Sequence, residues 1–352
     1  MNKIWDVIVI GGGQAGLATG YHLQKKGLDF LILESNDMAT GSWSQYYGSL
    51  KLFSPARYSS LPGMNFLGDP DNYPSKEEVI RYLEQYQKHF KLPVVTKSKV
   101  VSVVNEDKMF MIQTISGETY RAKTIINATG SFHNPYIPSI KGQDLFNGQI
   151  IHSADYRRPE PLTNQRVIVV GSRNSAVQIA IELAKFSKTT LAVRHPVRLI
   201  NQKILGKDLH LWFKIFGFDT FPFWKFGRKV PASDAVIDSG NYKEPLEEGK
   251  PDQQQMFIAF YSEGVIWPDG TKEPVDTVIF ATGYQYSFPY LREIGALDSD
   301  GLPLHVAGVS KSVPGLYYVG LEGQRSFASA TLRGVGSDAR FVVRMLLEHL
   351  KN

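Results

Sequence analysis

The sequence predicts an α/β fold made of two Rossmann-like dinucleotide-binding domains, with the second domain inserted into a split first domain. Three observations predict this fold. An apolar strand near the N-terminus runs into a glycine-rich turn and a helix, a related turn recurs near residue 171, and two apolar runs end in the same Ala-Thr-Gly triplet. Repeated strand-turn-helix patterns of this kind indicate parallel sheets covered by helices.

Composition limits the classes of function. The 352 residues suffice for about two domains. Lys and Arg exceed Asp and Glu by 39 to 34, and this mild, scattered excess does not indicate nucleic-acid binding. The chain contains no cysteine, which excludes disulfides, thiolate metal sites and thiol redox pairs. Electron transfer therefore requires a bound cofactor, and the dispersed histidines predict no metal site.

The N-terminal residues and the hydropathy bear on location. The chain enters an apolar strand directly, without the basic and apolar regions of a secretory signal. No uncharged apolar run approaches the roughly 18 residues of a membrane span. These features predict a cytoplasmic protein without an integral membrane span.

The first glycine-rich turn places Gly11, Gly13 and Gly16 in G-x-G-x-x-G register between a strand and a helix. Such glycines allow a tight turn and the approach of a pyrophosphate to the helix N-terminus, and Glu34 after the next strand suits an unphosphorylated ribose. The alternative is a turn that only packs the strand on the helix. The pattern predicts an FAD site that includes Gly11, Gly13, Gln14, Ala15, Gly16, Glu34 and Ser35.

The second turn repeats this pattern with two changes. Gly171 opens the turn, but Arg173 replaces the middle glycine. Gly171 and Arg194 are 23 positions apart, as are Gly11 and Glu34, so a base stands where the first unit has an acid. A cation there suits the 2′-phosphate of NADPH, although Arg194 as a solvated strand-end residue is the alternative. The predicted NADPH contacts are Gly171, Arg173, Asn174, Ser175, Ala176, Arg194 and His195.

Two other strands end alike. The run I-I-N-A-T-G ends at Gly130 and the run V-I-F-A-T-G ends at Gly283, and small residues there let the chain leave a sheet beside a nucleotide. A later strand ends at Gly320, and a helix that begins near Thr331 offers another N-terminus to a flavin. These stretches add Ala128, Thr129, Gly130, Gly320, Thr331 and Leu332 to the FAD site, and Ala281, Thr282 and Gly283 to the NADPH site.

A further motif identifies a known family. Phe146, Gly148, His152 and Tyr156 match all positions of F-x-G-x-x-x-H-x-x-x-Y/F. With its two glycine turns, the chain therefore resembles the class B flavin-dependent monooxygenases, from residue 5 to about residue 340. The segment 41–62 is similar to the plant indole-pyruvate monooxygenases and to small bacterial flavoproteins associated with cation efflux. Related Baeyer–Villiger enzymes usually carry Trp in place of Tyr156, so the resemblance favours N-oxide and S-oxide formation.

The resemblance implies a reaction and an active site. NADPH reduces the flavin, O2 adds to form a C4a-(hydro)peroxyflavin, and one oxygen atom passes to a small nucleophilic nitrogen or sulfur compound or to a carbonyl compound. Trp43 lies beside the flavin, Lys51 and Ser54 lie in a loop that faces it, and His152 has a positioning role. No asparagine lies between Trp43 and Pro62, so the group that stabilises the oxygenated flavin is unassigned. The implied FAD contacts also include Gly41, Ser42 and Val101.

The same resemblance places one domain inside the other. The predicted limits are 1–155 and 276–352 for the FAD domain, 156–275 for the NADPH domain and about 204–250 for an aromatic-rich insertion. Residues 243–255 are predicted to be a polar loop, and P-D-G-T at 268–271 is predicted to be a hairpin turn.

Residues 211–226, called here the aromatic segment, contain eight Phe and Trp residues. One interpretation is a buried insertion that packs between domains or protomers. The others are the wall of an apolar substrate pocket and a contact with a membrane surface. The sequence leaves these alternatives open.

Three functions remain open at this stage. The first is the monooxygenase described above, with O2 and a small molecule as substrates. The second is an NADPH-dependent flavin reductase or oxidase that passes electrons to a quinone, another acceptor or O2 without oxygenation. The third is a redox accessory protein of a cation transporter. No nucleic-acid partner is predicted, and a homo-oligomer is left open.

Overall fold

The computed structural model of the chain describes residues 3–227, 230 and 235–351. Helices combine with two sheets whose central strands are parallel, and the predicted α/β class is confirmed. The helices are α1 (Gln14–Lys25), α2 (Lys76–His89), α3 (Asn174–Leu183), α4 (Leu209–Ile215), α5 (Lys243–Glu247) and α6 (Leu332–Leu350). The strands are β1 (Ile4–Ile10), β2 (Phe30–Leu33), β3 (Val94–Val95), β4 (Val100–Glu106), β5 (Met109–Thr114), β6 (Thr119–Asn127), β7 (Gln149–His152), β8 (Arg166–Val170), β9 (Lys188–Val193), β10 (Leu199–Asn201), β11 (Lys203–Ile204), β12 (Lys207–Asp208), β13 (Val236–Asp238), β14 (Asp252–Gln255), β15 (Ala259–Tyr261), β16 (Gly264–Ile266), β17 (Lys272–Pro274), β18 (Thr277–Phe280), β19 (His305–Val306), β20 (Val309–Ser310) and β21 (Leu316–Tyr318).

The larger sheet has β1 near its centre. Its strands run in the order β19-β20-β21-β6-β1-β2-β3, and the hairpin β4–β5 joins it at β6. The strands from β21 to β3 pair in parallel. Val7 and Val9 of β1 pack with α1 and α6, whereas Ile8 and Ile10 pack with the β4–β5 side. Because both faces are covered, β1 is a continuous apolar run rather than an alternating one.

The second sheet is parallel throughout. Its order is β14-β9-β8-β18-β7, and α3 packs against β8 and β9. The central strand β8 is buried along Val167–Val170, again because neighbours cover both of its faces. Three smaller sheets complete the described part of the fold, formed by β10 with β13, β11 with β12, and β15 with β16 and β17.

Two sequence predictions for residues 243–271 had different outcomes. The hairpin turn at 268–271 is confirmed, because β16 and β17 pair in antiparallel fashion on its two sides. The polar loop predicted for residues 243–255 is wrong, because β14 lies within it and pairs with β9. Strand β14 lies at the edge of its sheet and exposes its glutamines to solvent. Its sequence therefore lacks the hydrophobic pattern from which a strand is predicted.

The domain limits predicted from the sequence remain a prediction. They assign both β7 and β18 to the FAD domain, but these two strands pair with each other and, through β18, with β8. Both strands therefore belong to the second sheet. Strand pairing across more than a hundred residues is a tertiary property that local periodicity does not reveal.

Candidate cofactor and active site

The first glycine turn is shaped by close backbone contacts. Gly11 has φ of +103°, and a Cβ atom there would lie 2.8 Å from the carbonyl oxygen of Ala128. A Cβ atom on Gly16 would lie 1.9 Å from the carbonyl oxygen of Gly11. Neither position accepts a side chain without rearrangement. The structure therefore brings the Ala-Thr-Gly end of β6 directly against the turn between β1 and α1.

Gly13 faces a second glycine from another part of the chain. A Cβ atom on Gly13 would lie 3.2 Å from Cα of Gly41, and Gly41 itself has φ of +55°. Gly41 begins the short 3-10 helix Gly41–Gln45, which carries Ser42 and Trp43. Because neither glycine has a side chain, the backbone of this short helix can pack directly against the backbone at the N-terminus of α1.

Glu34 is buried beside the same turn. Its Oε2 accepts a hydrogen bond from the backbone N–H of Gly12 at 2.7 Å, and its Oε1 accepts one from the N–H of Asn36 at 2.8 Å. Ser35 also donates to Oε1. Oε1 thus accepts two hydrogen bonds, but Oε2 accepts only one, so Oε2 of Glu34 retains a lone pair that can accept a hydrogen bond from a ribose hydroxyl. Gly12 was missed by the sequence analysis, although the run of three glycines was a signal for it.

Gln14 connects three parts of the candidate FAD site. Its Oε1 accepts a hydrogen bond from Nε1 of Trp43 at 3.1 Å, and its Nε2 donates to the carbonyl oxygen of Ala330. Ala330 precedes Thr331, the N-cap residue of α6. Nearby, a Cβ atom on Gly320 would lie 2.8 Å from Cβ of Ala15. The N-termini of α1 and α6 and the indole of Trp43 are therefore brought to one place.

The second glycine turn reproduces the geometry of the first. Gly171 follows β8 with φ of +139°, and a Cβ atom there would lie 2.6 Å from the carbonyl oxygen of Ala281 and 3.1 Å from Cβ of Ala176. The Ala-Thr-Gly end of β18 thus lies against this turn, just as the end of β6 lies against the first. Arg173 is the N-cap residue of α3, and Arg194 is exposed immediately after β9. The other predicted NADPH contacts lie in the first turn of α3 or beside these residues, namely Asn174, Ser175, His195, Thr282 and Gly283.

The helix N-termini at these places differ from the others in the described part of the chain. No side chain there caps α1, α3 or α6, and their first turns contain no acidic residue. In contrast, Ser75 and Glu78 form a capping box at α2, Asp208 caps α4, and the short, also uncapped α5 has the acidic Glu244 in its first turn. Uncapped N–H groups together with the positive end of the helix dipole favour an anion. The residues at the two glycine turns therefore fit the phosphates of two dinucleotides.

The residues of the F-x-G-x-x-x-H-x-x-x-Y/F motif hold β7 in the second sheet. Phe146 packs on Phe260 at 5.2 Å between ring centroids, and a Cβ atom on Gly148 would lie 2.3 Å from that Phe146 ring. The hydroxyl of Tyr156 donates to Oε2 of Glu182 on α3 at 2.7 Å. The motif thus ties the chain that enters the second unit to the elements that carry the second glycine turn.

His152 is the polar member of this motif and is buried. The backbone N–H of Ala154 donates to its Nδ1 at 3.0 Å, so Nε2 carries the proton and donates to the carbonyl oxygen of Gly283 at 2.9 Å. Burial lowers the pKa of His152, although the contacts with Gly283 and Asp155 raise it. A neutral imidazole in this position orients the Ala-Thr-Gly end of β18.

A run of ring contacts joins the two units. Trp43 contacts Tyr46 at 5.6 Å, Tyr46 contacts Phe132 at 6.0 Å, and Phe132 contacts Tyr284 at 5.2 Å. Tyr284 in turn contacts the ring of His152 at 5.0 Å. Trp43 and His152 were predicted site residues, but Tyr46, Phe132 and Tyr284 were not, because these contacts join four separate stretches that only the tertiary fold brings together. The rings form an apolar wall between the Trp43 side and the Gly283 side.

Three predicted site residues lie apart from these contacts. Lys51 is exposed and forms a bridge with Ser75. The hydroxyl of Ser54 lies 2.9 Å from that of Ser59 in a local turn. Val101 is 44% exposed at a bulge in β4. The roles predicted for these three residues remain predictions.

The aromatic segment is partly packed and partly exposed. Phe213 contacts Phe327 at 5.7 Å, and Trp224 contacts Phe341 of α6 at 5.6 Å. Asp219 accepts a hydrogen bond from Nε of Arg333 at 3.0 Å. Its large exposed side chains are Phe216, Phe218, Phe221 and Phe226, together with Ile215. The segment therefore packs on the loop before α6 and on α6 itself, while part of the predicted insertion lies outside the described residues.

Comparisons with known proteins agree with this geometry. A model of the pyridine nucleotide-disulphide oxidoreductase family matches residues 8–210. A CzcO-like oxidoreductase of Geobacillus kaustophilus is 35% identical over 99% of this chain and 100% of its own length. The indole-3-pyruvate monooxygenase YUCCA4 of Oryza sativa is 27% identical over 99% of this chain and 90% of its own. The structure of a flavin-containing monooxygenase from Stenotrophomonas maltophilia superposes with a TM-score of 0.88 at 29% identity, covering 99% of this chain and 100% of that one.

Among the residues that the structure describes, no helix combines the length and the hydropathy that a bilayer crossing requires. The predicted cytoplasmic location stays a prediction.

Proposed function

This chain belongs to the pyridine nucleotide-disulphide oxidoreductase family and is a flavin-dependent oxidoreductase of the monooxygenase type, and from this we propose that it is an FAD- and NADPH-dependent monooxygenase. Its substrate in this proposal is a small compound with a nucleophilic nitrogen or sulfur atom, or a carbonyl compound. The absence of cysteine from the chain excludes disulfide reduction through an internal thiol pair, despite the description of the family.

The observation that carries the proposal is the repeated geometry of the two glycine turns. Each turn follows a buried central strand, opens an uncapped helix and lies against an Ala-Thr-Gly strand end. One turn has the buried carboxylate of Glu34 beside it, and the other has the exposed guanidinium of Arg194. This difference supports FAD at the first turn and NADPH at the second, because an acid suits a ribose hydroxyl and a base suits a 2′-phosphate.

In the proposed reaction the flavin, when bound, supplies the hydride acceptor and the centre that activates O2. The residues of this chain bind and orient the cofactors. Gln14 fixes the indole of Trp43, and His152 fixes the carbonyl of Gly283. The rings between these two points line the boundary between the units with apolar surface, and Phe132 among them is 48% exposed. One oxygen atom enters the substrate, the other leaves as water, and NADPH supplies the two electrons.

Turnover with methyl phenyl sulfide under ¹⁸O2 tests the proposal. We expect the purified, flavin-loaded enzyme to form a sulfoxide that contains one ¹⁸O atom, with one NADPH consumed for each sulfoxide formed. A matched reaction in H2¹⁸O under ordinary O2 is the control and should give unlabelled product. If a screen of amines, sulfides and ketones yields only hydrogen peroxide or a reduced quinone, the chain is a reductase or oxidase. If NADPH is not oxidised at all, the accessory-protein alternative is favoured.

A further inference from the structure

The polar and apolar side chains of α4 and the aromatic segment lie in the reverse of the usual order. Asp208, the N-cap residue of α4, accepts hydrogen bonds from the backbone N–H and from Nδ1 of His210 at 2.8 and 2.9 Å, and the side chain of His210 is fully buried. Asp219 also faces the protein, where it accepts a hydrogen bond from Arg333 of α6. Ile215 and the four exposed phenylalanines named above lie on the outside. A surface segment ordinarily buries its apolar side chains and exposes its polar ones, so the inverted order indicates an apolar partner on the outside.

Exposed apolar side chains are concentrated in this part of the chain. Among the described residues twenty large apolar side chains are exposed, and seven of them lie between residues 204 and 226. Leu205, at the tip of the hairpin of β11 and β12, is 84% exposed, and Phe216 on α4 is 69% exposed. Single exposed apolar residues are normal on a protein surface, whereas a group of them marks a surface that binds an apolar partner.

Ring contacts and hydrogen bonds join these side chains into one surface. Nε1 of Trp212 donates to the carbonyl oxygen of Ile204 at 3.0 Å, and the indole stacks on the ring of Phe216 at 6.1 Å between centroids. The backbone N–H of Phe221 donates to the carbonyl oxygen of Gly217 at 2.8 Å, directly after Phe216. The exposed apolar residues along this path are called here the outer apolar surface, and they are Ile204, Leu205, Ile215, Phe216, Phe218, Phe221 and Phe226.

Lysines flank the outer apolar surface. Four of them are exposed and form no salt bridge with any residue in the described ranges, namely Lys203, Lys207, Lys214 and Lys225. The acids within residues 203–227 are Asp208 and Asp219, and both are mostly buried and already paired, with His210 and Arg333. The exposed charge of this stretch is therefore positive, which complements an anionic partner.

An anionic lipid bilayer offers both an apolar interior and a negative surface. Segments that bind there bury aromatic and leucine side chains at the headgroup boundary, and neighbouring lysines are attracted to the anionic headgroups. A second copy of this chain fits less well, because a two-fold interface brings the same patch of both copies together. The four lysines of each copy would then meet those of the other, with no exposed acid within residues 203–227 to pair with them.

We propose that the outer apolar surface docks this protein on the surface of an anionic lipid bilayer. The contact is interfacial, since no described helix has the length and the hydropathy to cross a bilayer. Helix α4 has seven residues and is therefore about 10 Å long, so it can lie along the headgroup boundary. The inference goes beyond the proposed function, because docking requires neither cofactor nor substrate.

Co-sedimentation with lipid vesicles tests the apolar part of this surface. The purified protein is mixed with vesicles of equal parts of phosphatidylcholine and phosphatidylglycerol, and the fraction that sediments with them gives a partition constant. Phe216→Ser should lower this constant about tenfold, because the variant loses most of the apolar area of one exposed ring. Ile115→Ser is the matched control, since Ile115 is 67% exposed at the turn between β5 and β6, and it should leave the constant unchanged.

A charge reversal tests the lysines. The wild type should bind vesicles of phosphatidylcholine alone about tenfold more weakly than the mixed vesicles, because they carry no net negative charge. Lys214→Glu should weaken binding to the mixed vesicles about tenfold, since the glutamate is repelled by the anionic headgroups. Lys99→Glu reverses an exposed charge next to β4, away from the outer apolar surface in the sequence, and should leave the binding unchanged.

Several results would overturn the docking surface. Absence of vesicle binding by the wild type would do so, as would equal binding to both kinds of vesicle. Binding that neither Phe216→Ser nor Lys214→Glu weakens would also contradict it. If sedimentation velocity shows a dimer that Phe216→Ser dissociates, and vesicles do not bind, the surface belongs to a second copy instead.

Two features keep this test separate from the others. Circular dichroism checks each variant, and if Phe216→Ser does not fold, Lys214→Glu decides, with weaker binding expected. Because vesicle binding needs neither NADPH nor O2, a protein that docks but does not oxygenate would refute the proposed function alone.

Discussion

A Gly13→Val variant is expected to be purified without bound flavin. The φ angle of Gly13 is −76°, which valine adopts freely, so backbone strain does not contribute. The added Cβ atom would lie 3.2 Å from Cα of Gly41, and its two methyl groups would occupy the space between the turn and the short helix that carries Trp43. In the proposed function a pyrophosphate approaches the backbone at this point. Flavin content is measured from the visible absorbance of the purified protein relative to its protein concentration.

Gly48→Ala is the matched control for this variant. A Cβ atom on Gly48 would lie 3.6 Å from the carbonyl oxygen of Arg157, which is an ordinary contact. This control should retain flavin at the level of the wild type. A Gly13→Val protein that is yellow and stoichiometric in flavin would refute the assignment of the first turn to FAD.

An Arg194→Ala variant should bind NADPH much more weakly and NADH about as well as the wild type does. The guanidinium of Arg194 is exposed immediately after β9, at the position where Glu34 stands in the first unit. Losing one charge-assisted contact with the 2′-phosphate costs about 1.5 to 3 kcal/mol, which is roughly 10- to 150-fold in KM. NADH lacks that phosphate, so its KM should change little. The measurement is the rate of flavin reduction over a range of concentrations of each nucleotide.

Arg158→Ala controls for the loss of a positive charge. Arg158 is exposed, and its guanidinium lies 3.9 Å from the carboxylate of Glu160, outside the residues predicted to contact NADPH. This variant should leave both KM values unchanged. An equal rise for NADPH and NADH in Arg194→Ala would show that the residue does not distinguish the two nucleotides.

The sequence predicted most accurately the features that short, contiguous residue patterns encode, namely the glycine turns and the strand ends. The glycine turns were visible because a Cβ atom at Gly11 or Gly171 would lie within 3 Å of a neighbouring carbonyl oxygen, which leaves no room for a side chain. The Ala-Thr-Gly strand ends were visible because the triplet recurs after two apolar runs, whereas a Cβ atom on Gly130 or Gly283 would meet nothing within 4 Å. Their packing against those turns, through Ala128 and Ala281, is a tertiary contact that the sequence only suggested by repetition.

Features assembled from distant stretches were missed. His210 and Asp208 were not singled out, because the residues that contact them are distant in the chain: the hydroxyl of Tyr73 donates to Asp208, and the ring of Phe53 stacks on His210. The edge strand β14 was mistaken for a loop because solvent, rather than the core, covers its glutamines. Lys51, Ser54 and Val101 were placed by resemblance alone, and among the described residues the hydroxyl of Ser54 pairs with Ser59 and Lys51 bridges to Ser75 rather than to the residues around Gln14.

The most direct test of the central claim is to mix the purified protein with NADPH in the absence of oxygen. In the proposed function one chain binds FAD at the turn of Gly11 and NADPH at the turn of Gly171, so that a hydride passes between them. The absorbance of oxidised flavin is therefore expected to disappear with one equivalent of NADPH and to return when O2 is admitted. A protein that remains colourless after incubation with FAD, or whose bound FAD is not reduced by NADPH, would contradict it.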